Sequence, residues 1–313
     1  MSVIERDLTY LVPSDLSGVS QGCHLTSFTL ISSPKTHFPG FEWKLEFPFP
    51  QAYRILLTGP DRPRPPHDNV NAPAKFCSFR LVSLDKEKCH AVFAFPAPSQ
   101  TGPGSVAGLV EEKLELRLWW AYQLFTEVWQ TGPDGAKLVL RDLQARSYAL
   151  TEHGIIRHWS LDRSRLHLGL GEKAAPIDLT GRSFMMHATD AALYDSYRTD
   201  PLYKHTPFLV STPRPTKDGK QELTYAIFHA TNSIATWDVG GEIDYPSGGW
   251  SKQFIQHWGG LEEWVMVGRG VEGVVKTFAE MAGKPRLVGR DWLGYLGESS
   301  RGIGVNRDTL TVS

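Results

Sequence analysis

The chain has few cysteines, no surplus of either charge and no long apolar run, and each shortage removes a class of function. Three cysteines in 313 residues, Cys23, Cys77 and Cys89, fall short of the even, dense set that staples a small secreted fold. None stands in a Cys-x-x-Cys pair or beside histidines at zinc-ligand spacing. A reducing compartment, the cytoplasm, is the expectation, with no metal and no organic cofactor. Lys and Arg number 33 against 34 Asp and Glu, a formal net charge of -1. Such a balance sets up no field that would draw in nucleic acid or an acidic membrane, and neither is expected as a partner. No apolar run reaches membrane-spanning length, and charges and a proline in the N-terminal MSVIERDLTYLVPSDLSG interrupt the apolar core that a signal peptide needs.

Helical periodicity is also scarce, and what replaces it is strand punctuation. Residues 41–49, 53–57, 75–84 and 91–95 are apolar, β-branched or aromatic runs bounded by proline and glycine. In 113–118, Leu114, Leu116 and Leu118 alternate with Lys113, Glu115 and Arg117, the pattern of a strand with one buried face. The turn chemistry of TGPDGAK at 131–137 then predicts a hairpin into 138–143. Further strands are predicted at 155–161, 183–188, 222–229 and 262–267. Many short strands with regular turns predict a mainly β chain, an antiparallel β-sandwich. One amphipathic helix closes it: Val271, Val274, Val275, Phe278, Ala279 and Ala282 share one helical face, ended by Gly283 and Pro285. The proline- and glycine-rich stretches 61–73 and 96–108 read as surface loops.

Several side chains invite a chemical reading that their setting does not support. His153, His158, His167, His187, His205, His229 and His257 lie among strand residues with no shared face, so hydrogen-bonded structural histidines are expected rather than a catalytic or metal cluster. GLGE at 169–172 lacks the lysine and helix of a phosphate loop and reads as a β-turn. Trp119, Trp120 and Trp129 suit core packing better than a stacking platform. Glu172 and Asp195 have no spacing that makes them an acid–base pair.

Five blocks carry more information together: HLGLGEKAAPIDLTGRSF at 167–184, ATDAALYDSYRTDPLYKHTPF at 188–208, YAIFHATN at 225–232, GGLEEWVMVG at 259–268 and GKPRLVGRDWLGYL at 283–296. In order and spacing they resemble the N-terminal region of glycoside hydrolase family 31, the α-glucosidases and α-xylosidases, with wording nearest to fungal intracellular members. The resemblance implies a galactose-mutarotase-like sandwich over 1–270, a helix with the lead-in to a (β/α)8 barrel over 271–296, and a polar tail over 297–313. In that family a carboxylate nucleophile and a carboxylic acid in the barrel perform retaining hydrolysis. A barrel needs on the order of 250 residues, so this chain is expected not to hydrolyse a glycoside alone.

The resemblance further implies a loop that reaches the barrel mouth and lines the sugar pocket. It sets Asp190 at the loop's acid, with Asp200 and Tyr203 nearby, as residues that would bind sugar. A carboxylate accepts hydrogen bonds from two hydroxyls at once, and an aromatic face stacks on a pyranose. Trp292, Leu293, Tyr295 and Leu296 are expected to pack against a barrel partner or a second copy. The alternative is a free-standing sandwich recruited as an isomerase, cyclase or dehydratase in fungal secondary metabolism.

Overall fold

A computed structural model describes residues 8–11, 24–25, 27–32, 38–64, 77, 79–85, 90–96, 113–121, 123–132, 135–152, 154–215, 223–244, 249–284 and 286–289. His153, the loop at 96–108 beyond Pro96, the tail at 297–313 and the residues Trp292, Leu293, Tyr295 and Leu296 lie outside them.

The strands, in chain order, are β1 (Leu8–Leu11), β2 (His24–Leu25), β3 (Ser27–Ser32), β4 (Glu42–Phe49), β5 (Ala52–Thr58), β6 (Phe79–Asp85) and β7 (His90–Pro96). There follow β8 (Lys113–Trp120), β9 (Leu124–Gly132), β10 (Gly135–Arg141), β11 (Tyr148–Thr151), β12 (Gly154–Ser160) and β13 (Arg165–Gly171). The last are β14 (Ser183–Met186), β15 (His205–Pro213), β16 (Leu223–His229), β17 (Ala235–Asp244), β18 (Gly249–Gln256) and β19 (Leu261–Arg269), before helix α1 (Gly270–Ala282). They form an eight-stranded sheet in the order β1-β3-β4-β5-β19-β16-β15-β13, a six-stranded sheet β10-β9-β8-β7-β6-β2 and a five-stranded sheet β11-β12-β18-β17-β14. The fold is mainly β and antiparallel, as the alternation predicted.

One core joins the three sheets. Trp43, Ile55 and Val265 of the large sheet, Leu114 and Leu116 of the six-stranded sheet, and Trp159 and Trp237 of the five-stranded sheet belong to a single buried cluster. Each such side chain taken from water contributes about 1.5–3 kcal/mol. The predicted alternation in β8 holds: Leu114, Leu116 and Leu118 are buried while Lys113 is exposed and Glu115 and Arg117 are partly so. The register of β9 with β10 runs through Gly132 opposite Gly135, the expected hairpin. Strand β19 is buried along nearly its whole length because both faces are covered. Val265 and Val267 face the main core, while Trp264 and Met266 form a second cluster with Val274 and Met281 of α1. Helix α1 thus covers the second face of β19.

Charged residues cross this core in pairs. Glu262 and Glu263 are neighbours on β19 and point to opposite faces, each met by arginine. Arg54 Nη1 donates to Glu262 Oε1 at 3.2 Å and Arg64 Nε to Glu262 Oε2 at 2.7 Å. On the other face Arg157, from β12, donates through Nε to Glu263 at 2.8 Å and through Nη2 to Asp142 at 2.6 Å. Asp142 directly follows β10, so this buried guanidinium ties together one strand from each of the three sheets. Burial holds the Asp142 carboxyl up at about 6 despite Arg157, with Glu263 adding to the rise.

His229 departs from the expected hydrogen-bonded histidine. It is fully buried, neither ring nitrogen has a hydrogen-bond partner, and the ring stacks flat on Phe254 with centroids 3.8 Å apart, beside Trp159 and Trp237. Burial, followed by the Arg157 charge, holds its pKa well below that of a free histidine, so the folded ring is neutral. Between its unfolded value near 6.5 and its lower folded value, the unfolded chain binds the proton and the folded one does not, so stability falls as pH falls through that window. Replacing His229 with Phe removes both the unpartnered nitrogens and this proton. His229→Phe is expected to match or exceed the wild-type melting temperature at pH 8 and to gain further at pH 5. A variant that loses as much stability as the wild type over that range would contradict the assignment.

Candidate functional site

The site is assembled where β13 leaves the large sheet. GLGE at 169–172 is not the β-turn its composition suggested but the end of a strand carrying a bulge. The pairing of β13 with β15 shifts register between Gly169 and Gly171, and Gly169, Leu170 and Gly171 have φ of 113°, 66° and 85°. Left-handed backbone at three successive positions favours glycine. At Gly169 no other residue fits, since a Cβ there would stand 2.3 Å from the Phe208 carbonyl oxygen. The bulge turns the chain so that Lys173 points across to β14.

Lys173 and the loop at 188–204 meet at the free edge of that strand. Lys173 Nζ donates to Met185 O and to Asp200 Oδ1, each at 2.8 Å, and Asp200 Oδ2 accepts from Met185 N at 2.6 Å. The loop is closed at its base by Thr189 N donating to Leu202 O at 3.3 Å, and at its root by Glu172 N donating to Lys204 O at 3.2 Å. This first bond leaves Asp190 just inside the closure and Tyr203 just outside it, each next in sequence to one of the two bonded residues. Inside the loop Asp195 organises a turn: its Oδ1 accepts from Tyr197 N at 2.8 Å and its carbonyl accepts from Thr199 N at 3.0 Å.

The three residues expected at a sugar therefore occupy two settings. Asp190 is exposed, and among the described residues its carboxylate takes no hydrogen bond or ion pair. Tyr203 is 67% exposed. Asp200 instead has both oxygens engaged by the chain itself. Leu193, Tyr194 and Tyr197 extend the exposed apolar surface, at 93%, 61% and 78%. Sequence reasoning passed over Lys173, which is a charged side chain within a glycine-flanked run and gave no motif of its own. His205 lies beside the cluster, its pKa lowered by burial first and then by the charges of Lys173 and His187.

Other candidates are not brought together. Glu172 pairs with Lys204 at 3.1 Å and Asp195 caps its turn, so they form no acid–base couple. Trp120 packs on the core against Trp43, whereas Trp119 stacks on Phe125 and Trp129 lies under Arg117 on the sheet's other face. His167 is hydrogen-bonded as expected, to Ser211 Oγ at 2.9 Å. Lys252 Nζ donates to Tyr225 OH at 2.6 Å nearby. This His, Ser, Tyr and Lys set has nucleophile and base chemistry, yet all four are buried beyond the reach of a substrate. Among the described residues no group of histidine, cysteine and carboxylate side chains is arranged to hold a metal, and no helix is long and apolar enough to cross a membrane.

Residues 111–238 match the glycosyl hydrolase 31 N-terminal galactose mutarotase-like domain. The whole loop at 188–204, with Lys173 and β14, lies within that mutarotase-like span. An α-glucosidase of Saccharolobus solfataricus is 31% identical over 148 residues, 45% of this chain but 19% of that protein. The chain thus spans about a fifth of the curated relative it matches. Among solved structures, the glycoside hydrolase 31 dextranase of Flavobacterium johnsoniae complexed with glucose superposes with a TM-score of 0.60 at 16% identity, over 85% of this chain and 28% of that one. The catalytic subunit of ER glucosidase II, in complex with the binding domain of its regulatory subunit, gives 0.58 at 11% identity, over 90% of this chain and 35% of that one. At such identities the likeness is one of fold.

Proposed function

We propose that the chain serves α-glucoside recognition as the mutarotase-like domain of a glycoside hydrolase family 31 system, with Asp190 and Tyr203 as its contacts to sugar. The single observation that carries this reading is that an exposed, unengaged carboxylate and an exposed tyrosine each stand next in sequence to a residue of the hydrogen bond that closes the loop. One supplies acceptors for vicinal hydroxyls, the other an apolar face for a pyranose. Asp200 belongs to the same site as the residue that fixes the loop. The family match over 111–238 and the α-glucosidase relative support the choice of sugar.

In this reading the domain shapes a pocket, and the two carboxylates of a retaining mechanism come from a barrel outside it. Trp292, Leu293, Tyr295 and Leu296 are the proposed contact to that barrel or to a second copy, continuing an apolar segment whose Leu287 is 96% exposed. The free thiol of Cys77 suits a cytoplasmic setting.

Titration calorimetry of the chain with maltose and isomaltose tests the proposal, with cellobiose as the control. Saturable millimolar binding of the α-linked sugars is expected, falling about tenfold in Asp190→Ala, the loss of one charge-assisted contact. Equal binding by wild type and Asp190→Ala, or preference for cellobiose, would overturn it.

A further inference from the structure

The edge of β14 that does not pair with β17 is where Lys173 and Asp200 tether the loop. β14 pairs with β17 on one side, through Arg182 O with Val239 N at 2.8 Å and the register Phe184 with Trp237. Backbone groups alternate in direction along a strand, so the N–H and C=O of Met185 point away from β17. An outward N–H and C=O invite another strand. Here both are taken by side chains, the N–H by Asp200 Oδ2 and the C=O by Lys173 Nζ, and the two side chains are themselves joined at 2.8 Å. The Lys173 side chain is only 3% exposed, and its ammonium sits 5.7 Å from the centroid of Phe184. The arrangement is polar in a fixed sense: a donor faces the carbonyl and an acceptor faces the amide.

We infer that Lys173 is a positioning residue: with Asp200 it clasps the 188–204 loop onto the edge of β14, and so holds in place the segment that carries Asp190 and Tyr203. The ligand consequence rests on the proposed sugar reading, whereas the clasp itself does not. Its direction separates it from an ordinary ion pair. Exchanging the charges, as in Lys173→Asp with Asp200→Lys, keeps the pair but sets an ammonium against the Met185 N–H and a carboxylate against its carbonyl. The exchange is therefore expected to fail where a simple salt bridge would be rescued.

The full chain carries the test, read by tryptic nicking after the exposed Arg198 and Lys204 and by amide exchange over 189–203. Lys173→Met and Asp200→Asn should each speed nicking about tenfold or more while far-ultraviolet circular dichroism stays that of the wild type. Lys173→Arg, which keeps the donors, should retain most of the protection, and the charge exchange should restore none. Should Lys173→Met fail to fold, Asp200→Asn, which keeps the shape of the side chain, decides alone. Wild-type nicking in Asp200→Asn, or protection restored by the exchange, overturns the clasp. A maltose titration separates the two ideas: no binding by the wild type with a loosened loop in the variants sinks the sugar reading and leaves the clasp. Maltose binding with an unaltered loop in Asp200→Asn does the reverse.

Discussion

Arg157→Met is expected to cost about 3–5 kcal/mol of stability, lowering the melting temperature by about 10 °C. The guanidinium is fully buried and is the cation that contacts both Asp142 and Glu263. It also donates through Nη1 to the carbonyls of Ser147 and His158, and lies 4.4 Å and 4.8 Å from the ring centroids of Tyr148 and Trp159. Methionine fills much of the volume but leaves two carboxylates in the core without a countercharge. Lysine brings one point charge where a fork reaches two sheets, and Arg157→Lys should recover only part of the loss.

The pH dependence gives the same assignment a second reading. With Arg157 in place Asp142 already stands at about 6 against 3.8 for a free carboxyl. A folded value above the unfolded one means that the folded state holds the proton in between, so this group favours folding as pH falls from about 6 towards 4. Without Arg157 the carboxyl rises further. The stability gap between Arg157→Met and wild type should therefore narrow as pH falls from 7 to 5, measured by thermal unfolding at each pH. A variant within about 1 kcal/mol of wild type at pH 7 would place the Arg157 ion pairs outside the buried core.

Gly169→Ala is expected to have the second largest effect, a loss of about 2–3 kcal/mol. Its φ of 113° is unsuited to any L side chain, and the new Cβ would meet the Phe208 carbonyl oxygen at 2.3 Å, a backbone atom held in the β15 ladder. Relief requires the bulge to open, which moves Lys173 off β14. Loss of stability should therefore come with faster nicking after Arg198. Gly135→Ala is the control: its φ is 102°, but nothing lies within 4 Å of the added Cβ, so only backbone strain remains, about 1 kcal/mol. Equal losses at both positions would mean that the contact with Phe208 relaxes freely.

The parts of the fold that were legible are those where one local period or one turn decides the outcome. Leu114, Leu116 and Leu118 announce an inward face by alternation alone, and Gly283 ends the helix as expected. The buried side of that helix, however, is Val274, Thr277 and Met281, while Val271, Val275 and Ala282 of the expected stripe are exposed. The bulge at Gly169, Leu170 and Gly171 was not legible, because glycine pairs mark turns and bulges alike and the choice depends on β15, some forty residues later in the chain. Arg157 was hidden for a related reason. An arginine in a strand usually marks a solvent face, and only its two carboxylates, one in β19 and one after β10, draw it inward. In the candidate site Asp190 and Tyr203 are proposed through resemblance, while the engagement of Asp200 depends on Lys173 and the Met185 backbone, whose placement no local pattern carries.

Amide hydrogen exchange of the chain with and without saturating maltose tests the sugar-recognition account most directly. The account predicts slowed exchange confined to residues 188–204 and absent with cellobiose. Slowed exchange elsewhere, with the loop unchanged, would contradict it.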